Sequence, residues 1–239
     1  MPRISSKGKC NFCQAEYSKA GMTKHLETCK TRATSIESGS PSTTSSRSRK
    51  MKTKIFHILV EGYRSPQYWM HLDLPSNVTL TDLDNFLRHI WLECCGHLSA
   101  FRIDGISYSS DEQMISYSSW NFGPRYKSMD VKLGDILSSG QKFSYEYDFG
   151  TTTELSLKVI EEREGGAKEN SIHVLARNEP LKTLCQSCGA LAIGVCAKCG
   201  DEGGWLCDKC AEIHECGKHM LIPIVNSPRA GVCGYPGIY

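Results

Sequence analysis

The chain has 239 residues, of which 40% are hydrophobic, 9% aromatic and 23% charged, a composition that fits one or two soluble domains with a packed core. No apolar run nears the roughly 20 residues of a membrane span, and the basic start MPRISSKGKC leads into no apolar segment that would make a secretory signal. The net charge of +2 is divided unevenly: residues 1–54 carry 12 basic against 3 acidic residues, a balance of +9, while the remainder carries 16 against 23, a balance of −7.

A basic arm on an acidic body suits a polyanionic partner, or else a solvated tail. Eleven of the 13 cysteines fall within 10–29 and 185–233, with Cys94 and Cys95 alone in the middle. With no export signal expected, the reading is a cytoplasmic protein without membrane contact, in which Cys pairs at two-residue spacing are metal ligands rather than disulfides.

Residues 1–31 contain Cys10-x2-Cys13-x11-His25-x3-Cys29. Zinc takes four soft or borderline ligands in a tetrahedron, and this spacing supplies them: two from a tight knuckle and two stacked on one helix face. Tyr17, Met22 and Leu26 are spaced as the small core of a ββα finger, with Phe12 inside the knuckle. The whole piece resembles Cys-Cys-His-Cys zinc fingers, a class similar both to nucleic-acid readers and to protein-docking modules. The early helix surface would present Lys19, Thr23 and Lys24, and lysines suit phosphate contact better than base reading.

Residues 32–52 read as a flexible linker. Eleven of the 18 residues from Thr31 to Ser48 are Ser or Thr, too few apolar groups to offset ordering entropy. The segment ends in Arg47, Arg49, Lys50 and Lys52, followed by Lys54. Together with Lys19 and Lys24, these side chains are the candidate nucleic-acid contacts; a solubilising tether is the alternative. A tether of this kind predicts a finger that folds independently of the rest of the chain.

Residues 53–180 read as an α+β domain. Lys54–Tyr63 is rich in β-branched and aromatic residues, and Tyr68, Met70, Leu72 and Leu74 alternate with polar or bulky neighbours, so the two runs are expected to form a hairpin. Thr79 opens a helix with Asp82 three residues on, as in a capping box. Leu80, Leu83, Leu87, Ile90, Trp91 and Cys94 form an apolar stripe at helical spacing, which makes Cys94 a core residue and Cys95 a bystander, with Gly96 as C-cap. Short strands are expected near Ala100–Ile103 and Gln113–Ser116. In KFSYEYDFG the residues Phe143, Tyr145, Tyr147 and Phe149 share one strand face, and TELSLKVIEE returns as another strand.

The run NVTLTDLDNFLRHIWLECCGHLSAFRIDGISY, the short VKLGDIL and then KFSYEYDFG resemble the Ri-plasmid open-reading-frame-three-like family, also called insertion-element passenger TnpR-like. The resemblance spans residues 53–180. It implies an α+β fold, a curved and mostly antiparallel sheet packed on helices, and it brings no established activity. Many relatives continue YDFG with an acidic residue, a Trp and a His, where this chain has YDFGTTTEL.

Residues 181–239 carry the pairs Cys185/Cys188, Cys196/Cys199 and Cys207/Cys210, then His214 and His219. Eight ligands suit two closed tetrahedral sites. Gly189 and Gly200 come directly after the first two pairs, where backbone N–H groups must turn toward thiolates. The arrangement resembles the B-box and related cross-brace fingers over about 185–220. That resemblance implies one zinc on Cys185, Cys188, Cys207 and Cys210, and a second on Cys196, Cys199, His214 and His219. Sequential filling is the alternative, and Cys216 is a second candidate for the place of His219. Cys233, in the tail, reads as a packed thiol.

The fold class expected is therefore α+β, a central curved and mostly antiparallel sheet with small zinc-stabilised modules at both ends and three Zn2+ per chain. Closed four-ligand sites leave no open position for substrate water. Glu146 and Asp148, with His57 and His71, match no nucleophile elbow, phosphate loop or metal-carboxylate motif. The expectation is a non-enzymatic binding protein, nucleic acid being met through residues 1–54, with a protein-docking scaffold built on 181–239 as the alternative.

Overall fold

The computed structural model describes residues 6–38, 53–118, 126–165, 171–200 and 204–237. They divide into two units. The first is Met1–Asp84, Ser99–Tyr145 and Glu154–Glu179; the second is Asn85–Leu98, Glu146–Thr153 and Pro180–Tyr239.

In chain order the elements are β1 (Lys7–Cys10), β2 (Glu16–Ser18), α1 (Lys19–Thr28), α2 (Lys30–Ser38), β3 (Thr53–Gly62), β4 (Trp69–Pro75) and α3 (Leu80–Leu87). A π-helical turn at Arg88–Leu92 comes after α3, then β5 (Ser99–Ile103), β6 (Ile106–Ser109), α4 (Glu112–Ser118), β7 (Tyr126–Ser128), α5 (Leu133–Ile136), β8 (Lys142–Tyr147), β9 (Thr153–Gly165) and β10 (His173–Asn178). The C-terminal part adds β11 (Gly194–Cys196), β12 (Trp205–Leu206), α6 (Asp208–Glu212) and, after a 3-10 turn, β13 (Leu221–Pro223).

A ten-stranded sheet dominates, in the order β2-β1-β10-β4-β3-β9-β8-β5-β6-β7. It is mostly antiparallel, β6 and β7 being a parallel pair. The expected hairpin forms with Ile58 opposite Leu72 and Val60 opposite Met70. Every residue of β4 is buried, as befits a central strand, and its two polar residues are paired within the unit. Asp73 accepts from Arg32 at 3.2 Å and pairs with Arg163, and His71 Nδ1 lies 2.8 Å from His57 Nε2. Asp84, also buried, accepts from Tyr145 Oη at 2.7 Å and Ser99 Oγ at 2.6 Å. The capping box is in place: Thr79 N–H and hydroxyl donate to Asp82 Oδ2 at 2.8 and 2.7 Å, and Asp82 N–H donates to Thr79 Oγ1 at 3.1 Å.

Several expectations change. The finger is not set apart by its linker, because β1 pairs antiparallel with β10, Gly8 opposite Asn178 and Cys10 opposite Ala176. Arg32, within the stretch read as flexible, is buried and ion-paired, and α2 continues to Ser38. Gln113–Ser116 lies in α4 rather than a strand, since Asp111 Oδ1 accepts from the N–H groups of Gln113 and Met114 at 2.7 and 3.1 Å and caps a helix. Phe149 is 41% exposed: β8 ends at Tyr147 and Asp148 takes φ 64°, so the aromatic face stops at three rings.

The second unit holds a separate three-stranded sheet, β12-β11-β13, with Val195 opposite both Trp205 and Ile222. Its other centre is Arg229, fully buried, which donates to Thr151 O at 3.1 Å, Thr153 Oγ1 at 2.9 Å and Asp148 Oδ2 at 2.6 Å. The guanidinium lies over the Tyr147 ring, 4.9 Å from its centroid, and Ser227 Oγ donates to Trp91 O at 2.5 Å.

Candidate metal centres

Four groups of Cys and His side chains in the described residues bring their donor atoms within 4.8 Å of one another, and each group can hold a metal ion. Around a tetrahedral ion with bonds of about 2.3 Å to sulfur and about 2.0 Å to nitrogen, two ligand sulfurs stand about 3.8 Å apart and a sulfur and a nitrogen about 3.5 Å. A disulfide would set the sulfurs at about 2.05 Å, and every cysteine here is free.

The first group is Cys10, Cys13, His25 and Cys29. Between β1 and β2 the chain turns tightly: Gln14 N–H donates to Cys10 O at 2.8 Å, with Gln14 at φ 61°. Helix α1 is N-capped by Ser18, whose Oγ accepts from Gly21 N–H at 3.3 Å, and its far end carries His25 toward the knuckle. Cys13 Sγ lies 3.2 Å from His25 Nε2 and Cys10 Sγ 3.9 Å from Cys29 Sγ. The Tyr17 ring stacks on His25 at 4.4 Å between centroids and fixes the imidazole plane. Cys10 and Cys29 are buried with Met22, Leu26, Trp69, Leu175 and Ala176. Burial pushes the Cys10 thiol up, while the N–H of Ala15 holds the Cys13 thiol down.

The second group is Cys185, Cys188, Cys207 and Cys210, and the third is Cys196, Cys199, His214 and Cys216. First and third Cys pairs thus meet, and the middle pair meets the downstream ligands, which is the interleaved order rather than the sequential one. The first two pairs repeat the turn of the finger: Gly189 N–H donates to Cys185 O at 2.9 Å and Gly200 N–H to Cys196 O at 2.8 Å. These glycines stand at φ 75° and 51°, where a side chain is strained. The third pair differs, Cys207 being the N-cap residue of α6. Cys188 and Cys207 sulfurs are 3.6 Å apart, Cys199 and Cys216 sulfurs 3.7 Å, and Cys199 Sγ is 3.5 Å from His214 Nε2.

His219 falls outside the third group, and Cys216 takes the place expected for it. The reason is local. Gly217 N–H donates to His214 O at 2.8 Å, a turn that folds Cys216 back beside His214. Met220 N–H then donates to Gly217 O at 3.1 Å, and that second turn leaves His219 exposed.

Electrostatics separate the thiols within each group. The N–H of Cys207 is the chief influence that lowers Cys185 to about 6. Burial opposes ionisation of Cys196, but the N–H groups of Cys199 and Lys198 bring it to about 6. Cys210 is driven up to about 12 by Cys188, Cys207 and Cys185, and Cys199 to about 11 by Cys216 and Cys196. Packed sulfurs of this kind ionise together only when a cation shares their charge.

The fourth group is Cys94, Cys95, His97 and Cys233. Sequence spacing hid it, because Cys94 fits the helical stripe and Cys233 lies far along the chain. The stripe breaks at the π-helical turn, after which Glu93 is extended at ψ 116°, so Cys94 leaves the helix. The repeated CxxC signal is absent at this group; the adjacent Cys94-Cys95 pair with His97 close behind was the only cue.

Of the candidate nucleic-acid residues, Lys24 is exposed. Lys19 is engaged within the unit, its ammonium on Glu61 and 3.4 Å from Pro66 O, so it is not a free phosphate contact. Arg47, Arg49, Lys50 and Lys52 lie outside the described residues. No helix among the described residues is long and apolar enough to cross a membrane.

Residues 53–180, just over half of the chain, match the family model described as plasmid pRiA4b ORF-3-like protein. The chain belongs to this family. Among solved structures the chain is similar to the crystal structure of MM3350 from Methanosarcina mazei Go1, a protein of unknown function. It is 19% identical, with a TM-score of 0.42, over 54% of this chain and 70% of that one. No curated protein is significantly similar to the chain. Both ends, with their metal-ligand groups, extend beyond the matched span.

Proposed function

We propose that this is a non-enzymatic zinc-binding protein that associates with nucleic acid through its basic N-terminal segment. Three knuckle-based groups, made of four Cys or three Cys and one His, suit Zn2+ best among the common divalent ions. Each supplies four protein ligands, the number of a closed structural site, so three structural Zn2+ per chain is the proposed count. Free thiols in such number suit a reducing compartment, in line with a cytoplasmic location.

The observation that carries the nucleic-acid reading is the +9 balance of residues 1–54 against −7 in the rest. With Lys19 held by Glu61, the contact falls to Lys24 and to the cluster Arg47, Arg49, Lys50 and Lys52. Deleting residues 1–54 would also remove β1 and the Arg32–Asp73 pair, so charge removal is the cleaner test. Anisotropy of a labelled DNA duplex, titrated over a range of KCl, should give affinity that falls steeply with salt. Exchanging the four clustered residues for alanine should flatten the log–log slope by about 0.9 for each phosphate no longer neutralised. Binding that is unchanged by salt and by these exchanges would contradict the reading.

A protein-docking role for residues 181–239 is the second reading. It is favoured by the exposed Leu184, Leu191, Ile193 and Ile213, the last 84% exposed. Binding that survives high salt and is lost on Ile213→Glu would favour it over the first.

A further inference from the structure

We infer that Cys94, Cys95, His97 and Cys233 form a fourth metal site, accessible and exchangeable, for a thiophilic d10 divalent ion such as Zn2+. The site rests on the juxtaposition of two segments of the second unit more than 130 residues apart in sequence. Cys233 Sγ stands 3.6 Å from His97 Nε2, close to the spacing of a sulfur and a nitrogen across one tetrahedral ion. All four donor atoms lie within 4.8 Å of one another.

Both segments are held in place by hydrogen bonds to their backbones. The first turns at Gly96, φ 71°, whose N–H donates to Glu93 Oε1 at 2.5 Å. The phenol oxygen of Tyr147 accepts from the N–H groups of Cys94 and His97 at 3.4 and 3.3 Å, and so brackets the loop. In the second segment Cys233 itself adopts φ 52°, a region that costs a non-glycine residue about 1 kcal/mol or more. It is kept there by two successive turns, Val232 N–H to Arg229 O and Tyr235 N–H to Val232 O, each 3.0 Å. Backbone strain of this kind clusters at functional sites, and here it sets the Cys233 sulfur beside the His97 imidazole.

A supporting shell is also present. Arg229 Nη2 lies 3.4 Å from Cys94 Sγ while the same guanidinium is anchored on Asp148. A buried cation beside a ligand sulfur balances the negative charge that ligation gathers there. Three thiolates and a neutral imidazole exceed the charge of a divalent ion by one, and Arg229 stands where that excess would lie.

The site differs in kind from the other three. Each of those includes at least one buried cysteine, whereas here Cys95 and Cys233 are exposed and Cys94 and His97 only partly covered. No CxxC knuckle encloses it. Its ion should therefore exchange with solution while the knuckle-held ions stay.

The test is metal counting on the full chain. Zinc-loaded protein, freed of unbound metal, is measured by native mass spectrometry before and after brief exposure to the chelator 4-(2-pyridylazo)resorcinol. Four zinc ions are expected, with one released quickly. Cys95→Ser and Cys233→Ser should each hold three and lose the fast phase; Cys95 is exposed, so its exchange keeps the test valid should the tail variant misfold. Wild-type protein holding three ions with no fast phase would overturn this inference alone. Loss of all ions from wild type would overturn the structural-zinc reading as well. A reductant-sensitive mass deficit of two hydrogens in wild type, absent in both variants, would show a disulfide at these sulfurs and likewise overturn the fourth site.

Discussion

In the N-terminal finger, Cys10 and Cys29 share a core with Trp69, Leu175 and Ala176, and β1 is hydrogen-bonded into the large sheet through β10. In the C-terminal module, Cys185 and Cys207 pack among the described residues with the buried Leu206 and Ala211, with Cys210 and Leu221 beside them, next to a sheet of three short strands. The donors are alike and the support is not. A small cluster and short strands offset little of the entropy of ordering these loops, so on the proposed zinc reading coordination supplies most of the module's stability. The finger draws on an existing hydrophobic sheet, and a metal there would fix α1 and the knuckle rather than the whole segment.

The largest effect expected from this contrast is at Cys207. Cys207→Ser removes a ligand while leaving a residue able to cap α6, and structural zinc is worth roughly 10–16 kcal/mol in apparent binding energy. The module should unfold, read as a red-shifted Trp205 fluorescence and protease cleavage within 185–223. The same exchange at Cys13 should cost the first unit about 1–3 kcal/mol, lowering its melting temperature without abolishing its cooperative transition. A first unit unaffected by Cys13→Ser would restore the independent finger.

Next in size is Gly8→Val. A Cβ at Gly8 would land on the Arg177 carbonyl oxygen and the Trp69 ring, one of them immovable backbone. About 3 kcal/mol or more of destabilisation is expected, measured by urea denaturation; a wild-type midpoint would show that β1 does not need its place beside β10.

An effect that shows only as pH falls comes from the buried pair His57 and His71. Burial foremost, then the charges of His71, Arg32 and Arg163, lowers His57 to about 2, and burial with Arg32 and Lys19 lowers His71 to about 4. Both imidazoles are neutral in the folded chain and take up protons on unfolding. Stability from this source is therefore complete above the ordinary value of 6.5 and falls as pH drops from 6.5 toward 4, by up to about 1.4 kcal/mol per pH unit for each ring. Denaturation of the first unit at successive pH values should show that slope, and leucine at both positions should flatten it.

The smallest effect separates two lysines of the same finger. Lys24→Ala should reduce the salt slope of DNA binding by about 0.9, whereas Lys19→Ala should leave it unchanged and lower stability by up to about 1 kcal/mol through loss of the Glu61 pair. Equal salt slopes for the two variants would put the finger helix away from the phosphates.

The hairpin, the capping box and the CxxC knuckles were legible in the sequence because each is set by neighbours within a few residues. Thr79 and Asp82, or Cys185 and Gly189, need nothing distant to define them. The short run Gln113–Ser116 reads as strand from its own residues, and the Asp111 cap that makes it helical emerges only in the fold. What stayed hidden was non-local. Pairing of β1 with β10 depends on residues some 170 apart, and Arg32 in a Ser/Thr-rich stretch gave no sign of its partner Asp73. The fourth ligand group shares this property, since neither Cys233 nor the break after Leu92 is marked by spacing.

The contrast between the two ends is tested most directly by amide hydrogen exchange with mass spectrometry on the full chain, before and after removal of zinc. Peptides from 185–223 should lose protection almost completely, while Lys7–Cys10 and His173–Asn178 should keep most of theirs. Full protection at both ends of a metal-free chain, or an equal collapse of the two, would contradict the account.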